Sequence, residues 1–136
     1  MNNKKTKWLA YTVLVGFTPI MCRIFAWFVA KNDTVELFAS SDFVALGLVL
    51  HISIINEIEH ISDFEESWKT AQNGFSIAFI TFYGVCFAMT LIGGDIVDVD
   101  KLKYCVIALA IFSLIISYSV FDRISKIPDP VLGNSA

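Results

Sequence analysis

Four long apolar stretches, separated by short polar connections, constrain this chain more than any other feature of its sequence. They cover about residues 8–30, 42–60, 75–92 and 104–121, and each is close to the roughly 20 residues with which a helix crosses a hydrocarbon core of about 30 Å. Of the 136 residues, 56% are hydrophobic and only 17% are charged. The charges concentrate in the connections and at both ends, which is typical of transmembrane helices.

The chain is short enough for one domain only. We predict an all-α fold, an integral membrane four-helix bundle over residues 1–127, followed by a flexible C-terminal tail at 128–136. The lipid bilayer is then the main partner of the protein.

The distribution of lysine and arginine predicts the orientation of this bundle. Six basic residues lie on the side that holds both termini and three lie on the other side. An excess of lysine and arginine marks the cytoplasmic side, so we predict an N-in/C-in topology. The six are Lys4, Lys5, Lys7, Lys69, Arg123 and Lys126, and the three are Lys31, Lys101 and Lys103.

Aromatic residues stand at the predicted span ends. Trp8 and Phe121 lie at cytoplasmic ends, and Trp27 and Tyr104 lie at the opposite ends. Aromatic side chains settle at the level of the lipid headgroups, and we expect these four to do so.

The second span carries the most informative polar residues. On a helix, Ser53, Asn56, Glu57 and His60 fall within about 100° of one another. Such a stripe turns toward the bundle interior, a water-filled cavity or another subunit, or its inner members reach the cytoplasmic interface. His51 lies deeper and points to a different face, so interfacial solvation explains it less easily.

Glu57 and His60 also have the Glu-x-x-His spacing of di-iron bundles. Those sites need a second such pair and further carboxylates, and His51 is the only other histidine. We therefore expect neither a metal nor a cofactor.

Arg23 is a formal charge well inside the first span. An unpaired arginine at this depth costs at least about 2.5 to 3.5 kcal/mol on insertion scales, so we expect it to find a partner or to reach the outer headgroups. Asp33, Asp42 and Asp95 are the acids within reach. A pore-lining or sensing role is the alternative.

The connection after the second span is strongly acidic. Its apolar residues Phe64 and Trp68 are spaced i and i+4, which forms one stripe on a helix. Either the acidic connection and its aromatic stripe together dock a cytoplasmic protein, or the two rings lie among the lipid headgroups. The predicted partner-binding residues are Glu57, Glu59, Asp63, Phe64, Glu65, Glu66 and Trp68.

Small residues one turn apart occur in the last two spans. Gly84 and Ala88 form one pair, and Ser113 and Ser117 form the other. Each pair permits close approach of a second helix, within one copy or between copies. We expect these faces to pack a homo-oligomer, for which a tetramer is one candidate.

Two function classes are disfavoured. The sequence contains no hydrolase elbow, phosphate-binding glycine loop or catalytic cysteine-histidine arrangement, so we do not expect an enzyme. The formal net charge is -3 and no long basic run is present, so direct nucleic-acid binding is not expected either.

The second span also supports a family resemblance. Its sequence Asp42-Phe-Val-Ala-Leu-Gly-Leu-Val-Leu-His51, continued by Ile-Ser-Ile-Ile-Asn-Glu-Ile-Glu-His60, resembles the second helix of the small membrane subunit of the Kiwa antiphage defence system. Downstream Trp68 and Gly74 and the four-span layout agree with it. The matching positions in the span are Asp42, Gly47, Asn56, Glu57 and Glu59.

This resemblance implies a homo-oligomeric four-helix subunit of the bacterial inner membrane. Such a subunit would bind a cytoplasmic DNA-binding effector and respond to membrane disturbance as a phage attaches or injects. It implies no catalytic residue.

Two other functions fit the same layout. A small oligomeric ion channel or proton-coupled transporter would use Arg23, His51 and Glu57 as intramembrane relay groups. A pore-forming toxin or holin would arrest growth when this chain is expressed alone.

Overall fold

The computed structural model describes residues 3–60 and 66–126, and these residues are almost entirely helical. The described chain contains no strand, which confirms the all-α prediction. The helices are α1 (Asn3–Trp8), a π-helical segment (Leu9–Val13), α2 (Leu14–Val29), α3 (Ser40–Glu59), α4 (Glu66–Ile92) and α5 (Val99–Ser125). The predicted tail at 128–136 lies outside the described residues.

Four helical stretches are long and apolar enough to cross a membrane. The first joins α1, the π-helical segment and α2 over Thr6–Val29, and the others are α3, α4 and α5. This architecture is compatible with a multi-pass membrane protein. With 27 residues each, α4 and α5 are about 40 Å long, which exceeds both the predicted spans and the hydrocarbon thickness.

Successive helices run antiparallel, as side-chain contacts at several depths show. Thr12 contacts Ser53 and Arg23 contacts Asp42, which pairs the first span with α3 in opposite directions. We call the end at which α1 and α4 begin and α3 and α5 end the inner end, and the opposite end the outer end. The basic residues predict that the inner end faces the cytoplasm.

The third helix, α3, is the centre of the bundle. It packs against α2, α4 and α5, whereas α2 contacts neither α4 nor α5 and α4 contacts α5 only sparsely. Residues on several faces of α3 are buried, including Val44, Leu46, Leu50, Ile54 and Ile58. The molecule is therefore three helices arranged around a fourth rather than a symmetric square bundle.

Two glycines set how closely α3 approaches its neighbours. A Cβ at Gly16 of α2 would lie 2.7 Å from Leu46 Cδ1, and a Cβ at Gly47 of α3 would overlap the ring of Tyr83 on α4. Real Cβ atoms do not tolerate such contacts. Small residues let membrane helices pack closely, and here they do so within one protomer.

The first span departs from regular α-helix near its inner end. Pro19 lies inside α2, and the irregularity is the π-helical segment Leu9–Val13, about two turns before it. The Thr18 hydroxyl donates to the carbonyl oxygen of Leu14 at 2.9 Å. Such serine and threonine bonds supply donors to carbonyls around a proline in membrane helices.

The helix ends follow local chemistry. Gly93 has φ +92, in the left-handed region that glycine adopts readily, and α4 ends directly before it. The Asp98 carboxylate caps α5 by accepting from the backbone N–H of Lys101 at 3.2 Å.

At the inner end, two of the four aromatic residues at the predicted span ends are buried within the protein. Trp8 and Phe121 are 6% and 3% exposed, and their rings stack with centroids 4.1 Å apart. They pack into the core with Ile58 and Ile124, so other helices cover most of both rings. At the outer end Trp27 and Tyr104 are exposed.

Candidate functional site

The most unusual chemistry of the molecule lies around His51, midway along the central helix. His51 is fully buried, and each ring nitrogen faces a serine on a different helix. Nδ1 lies 3.4 Å from the Ser76 hydroxyl on α4, and Nε2 lies 2.9 Å from the Ser113 hydroxyl on α5. The imidazole therefore connects three helices at mid-depth.

Tyr83 extends this network. Its hydroxyl lies 2.7 Å from that of Ser113, so the serine is shared between the tyrosine and the histidine. We call His51, Ser76, Tyr83 and Ser113 the buried polar network. All four side chains are fully buried. An apolar surrounding makes unpaired polar groups costly, so each member keeps the others in place.

Aromatic packing fixes the orientation of the imidazole. The His51 ring stacks on Phe79 with centroids 4.7 Å apart and an interplanar angle of 14°. Tyr83 lies at a tilted 6.1 Å from His51 and fits its ring against Gly47. The glycine thus creates the space that brings the tyrosine hydroxyl to Ser113.

The arrangement is suited to holding helices together. Ser113 and His51 form a serine-histidine pair, but both are sealed from solvent, and a nucleophile must be reached by its substrate. Hydrogen bonds between membrane helices contribute about 0.6 kcal/mol each on average, up to about 1.7 kcal/mol. The network therefore stabilises one relative placement of α3, α4 and α5.

A second polar contact joins α2 to α3 toward the outer end. The Arg23 guanidinium donates from Nε to a carboxylate oxygen of Asp42, and the arginine and aspartate side chains are 30% and 13% exposed. Of the acids within reach, Asp42 is thus the partner. The charge is neutralised inside the protein rather than by outer headgroups.

The predicted polar stripe of α3 divides among three environments. The Ser53 hydroxyl lies 3.2 Å from that of Thr12 on the first span. Asn56 and His60 are exposed, and His60 Nδ1 lies 2.6 Å from the Asn56 carbonyl oxygen. Glu57 is half-buried beside the first span.

No metal centre accompanies these residues. Among residues 3–60 and 66–126, no three histidine, cysteine, aspartate or glutamate side chains are grouped closely enough to hold an ion.

The two small-residue pairs differ in placement. Ser113 and Ser117 are fully buried within the protomer, so a second copy cannot reach them, and their predicted role in oligomer packing needs correction. Within the described part of the chain, the Ser117 hydroxyl has no hydrogen-bond partner. Gly84 and Ala88 are exposed on α4, with open space around Gly84. Of the two pairs, only Gly84 and Ala88 face outward.

The predicted docking surface is partly described. Glu59 and Glu66 are exposed at the inner end, beside the half-buried Glu57. Trp68 is half-buried, and the Arg123 guanidinium lies 4.7 Å from its ring centroid. That ring therefore holds the start of α4 against the end of α5. Asp63, Phe64 and Glu65 lie outside the described residues.

Sequence reasoning missed three of the residues around His51. Ser76, Phe79 and Tyr83 are spaced i, i+3 and i+7, and Cys86 continues the same buried face of α4. This spacing was readable from the sequence. Its meaning was hidden because lipid-facing and core-facing residues are equally apolar in a membrane helix.

Comparison with known proteins adds no relative. No family model matches the sequence, and neither a curated protein nor a solved structure is significantly similar to it.

Proposed function

We propose that this chain is a non-enzymatic, multi-pass subunit of the bacterial cytoplasmic membrane that senses the state of the bilayer and holds a soluble effector at its inner end. The observation that best supports this function is the central position of α3. This helix contacts every other span, carries His51 at mid-depth, and ends in the acidic residues Glu57 and Glu59. One rigid element thus links the membrane interior to the proposed docking end.

The membrane-facing input comes from the first span, which beyond its inner end packs against α3 alone among the described helices. Its residues Phe25, Phe28 and Val29 are 69%, 79% and 66% exposed. Each span is matched to a hydrocarbon thickness, and mismatch is relieved by tilt. A thinner or disturbed bilayer would therefore change the angle of α2 against α3.

A sensor needs two packings of similar free energy, with the stimulus favouring one of them. The buried polar network and the pair of Arg23 with Asp42 define one packing, because both depend on close register between α3 and its neighbours. A shift of α4 or α5 along α3 breaks the network in one step. The second packing would lack these bonds and release or reorient the effector.

The resemblance to the Kiwa membrane subunit makes antiphage defence the context of this proposal. Its effector would be a cytoplasmic DNA-binding protein, so the chain itself would not contact nucleic acid. Gly84 and Ala88, which face outward on α4, are the residues that we propose to pack a homo-oligomer in the bacterial inner membrane.

The geometry favours this function over a conducting protomer. A relay through Arg23, His51 and Glu57 needs contiguous groups, but Arg23 is paired with Asp42 and Glu57 faces the first span, away from the network. The interior beside His51 is filled by fully buried side chains. Absence of proton or ion flux in liposomes containing the purified chain is the expected result.

Co-purification tests the docking end. The chain is expressed with its neighbouring reading frame, and a soluble partner is expected to remain bound in detergent. Charge reversal by Glu65→Lys and Glu66→Lys should release the partner while insertion persists. The matched control reverses the exposed outer residues Asp95 and Asp100. Equal retention by both variants contradicts the proposed docking surface.

A further inference from the structure

An open cleft at the inner end carries an inference beyond partner recruitment. It has a volume of about 310 Å³ and lies between the first span, α3 and α5. Ligand pockets begin at about 300 Å³, so the cleft accommodates a small polar group. Its walls include Lys7, Trp8, Thr12, Glu57 and Phe121.

The cleft combines two unlike charges that do not neutralise each other. Within residues 3–60 and 66–126, neither the Lys7 ammonium nor the Glu57 carboxylate forms an ion pair. Glu57 is half-buried and Lys7 is exposed at the rim. A ligand that satisfies both must carry an anion and a cation close together.

An unsatisfied donor in the cleft wall points to the same ligand. The indole N–H of Trp8 is buried and has no hydrogen-bond acceptor among the described residues, and the residue as a whole is only 6% exposed. The ring is held by its stack on Phe121, 4.1 Å away. A buried donor without an acceptor is costly, which favours an oxygen-bearing ligand beside Lys7.

The position of the cleft identifies the source of such a ligand. Lys7 lies at the start of the first span, Glu57 lies within the last turn of α3, and Phe121 lies near the end of α5. In the proposed membrane placement, this is the level at which the spans leave the hydrocarbon. Tyr11 and Leu14 follow Lys7 along the helix and are 71% and 67% exposed, which offers acyl chains an apolar wall.

We propose that this cleft binds the headgroup of an amine-bearing phospholipid. The phosphate accepts from Lys7 and from the indole N–H of Trp8, and the primary ammonium donates to Glu57. Phosphatidylethanolamine has this chemistry. Phosphatidylglycerol has no ammonium group, and the quaternary ammonium of phosphatidylcholine has no N–H with which to donate a hydrogen bond. The inference rests on the membrane placement in the proposed function but not on the effector.

Thermal unfolding of the full chain in detergent tests this assignment. Phosphatidylethanolamine should stabilise the protein at about tenfold lower concentration than phosphatidylglycerol or phosphatidylcholine, since one charge-assisted bond contributes about that factor. Glu57→Gln should abolish the preference. The matched control is Glu59→Gln, which removes an exposed carboxylate from the same helix end.

Trp8→Phe keeps a ring against Phe121 and removes only the N–H, so it should weaken stabilisation by the lipid without unfolding the protein. Equal effects of the three lipids, or equal effects of Glu57→Gln and Glu59→Gln, overturn the proposal. Stabilisation by phosphoethanolamine alone at the same concentration overturns the lipid assignment in favour of a soluble ligand. Loss of partner co-purification is a separate readout and bears only on the proposed function.

Discussion

Nε2 of His51 lies 2.9 Å from the hydroxyl oxygen of Ser113, and this contact joins the central helix to α5 at mid-depth. The same imidazole faces Ser76 on α4, 3.4 Å away. A histidine that is fully buried among three helices ties their relative positions to one side chain.

His51→Ala should therefore destabilise the bundle. The substitution removes two hydrogen bonds and the stack on Phe79, and it leaves a cavity beside Ser76 and Ser113. We expect a loss of about 2–4 kcal/mol in the free energy of unfolding, measured in mixed micelles with increasing denaturing detergent. His60→Ala, on the exposed end of the same helix, should change it by less than about 0.5 kcal/mol. Equal losses of stability for His51→Ala and His60→Ala would contradict the idea that His51 holds the three helices together.

Gly47→Ala should disturb the packing of α3 against α4. The new Cβ would overlap the Tyr83 ring, which must move away from Ser113. Overpacking of this kind costs about 1–3 kcal/mol. Gly74→Ala is the matched control, because nothing lies within 4 Å of a Cβ at that position. A Tyr83→Ala background should relieve most of the cost of Gly47→Ala, and simple additivity in this double-mutant cycle would argue against direct contact.

Asp42→Asn should leave the Arg23 charge without its partner. Breaking a buried ion pair costs about 3–5 kcal/mol, but this arginine side chain is 30% exposed, so we expect roughly 1–3 kcal/mol. The double variant Arg23→Met with Asp42→Asn should be more stable than Asp42→Asn alone. Asp98→Asn is the control, because the Asp98 carboxylate lies 3.9 Å from the ammonium of Lys101 and both side chains are exposed. A double variant weaker than the single one would contradict the pairing.

Gly84→Leu should reduce homo-oligomer formation. Gly84 and Ala88 are exposed on α4, and a leucine side chain would hold a second helix apart. The mass of the detergent-solubilised particle, measured by light scattering after size exclusion, should fall. Ala78→Leu enlarges another exposed position of the same helix and should leave the mass unchanged. An unaltered mass for Gly84→Leu would place the contact between copies elsewhere.

The sequence predicted the four helices because lipid demands about 20 apolar residues per crossing and satisfies no backbone group. It could not predict which side chains meet. Three acids were within reach of Arg23, and the antiparallel register of α2 and α3 selects Asp42. The spacing of Ser113 and Ser117 predicted close packing, but only the rotation of α5 turns both residues inward. Spacing alone carries no information on that rotation.

We propose that lipid surrounds this bundle. Large apolar side chains are exposed on all four spans, among them Phe28, Ile52, Leu91 and Ile115, and water-soluble monomers rarely expose so much apolar surface. The direct measurement is sedimentation of the expressed chain after an alkaline carbonate wash and without detergent. The protein is expected to stay in the membrane pellet. Recovery of folded protein in the supernatant would contradict it.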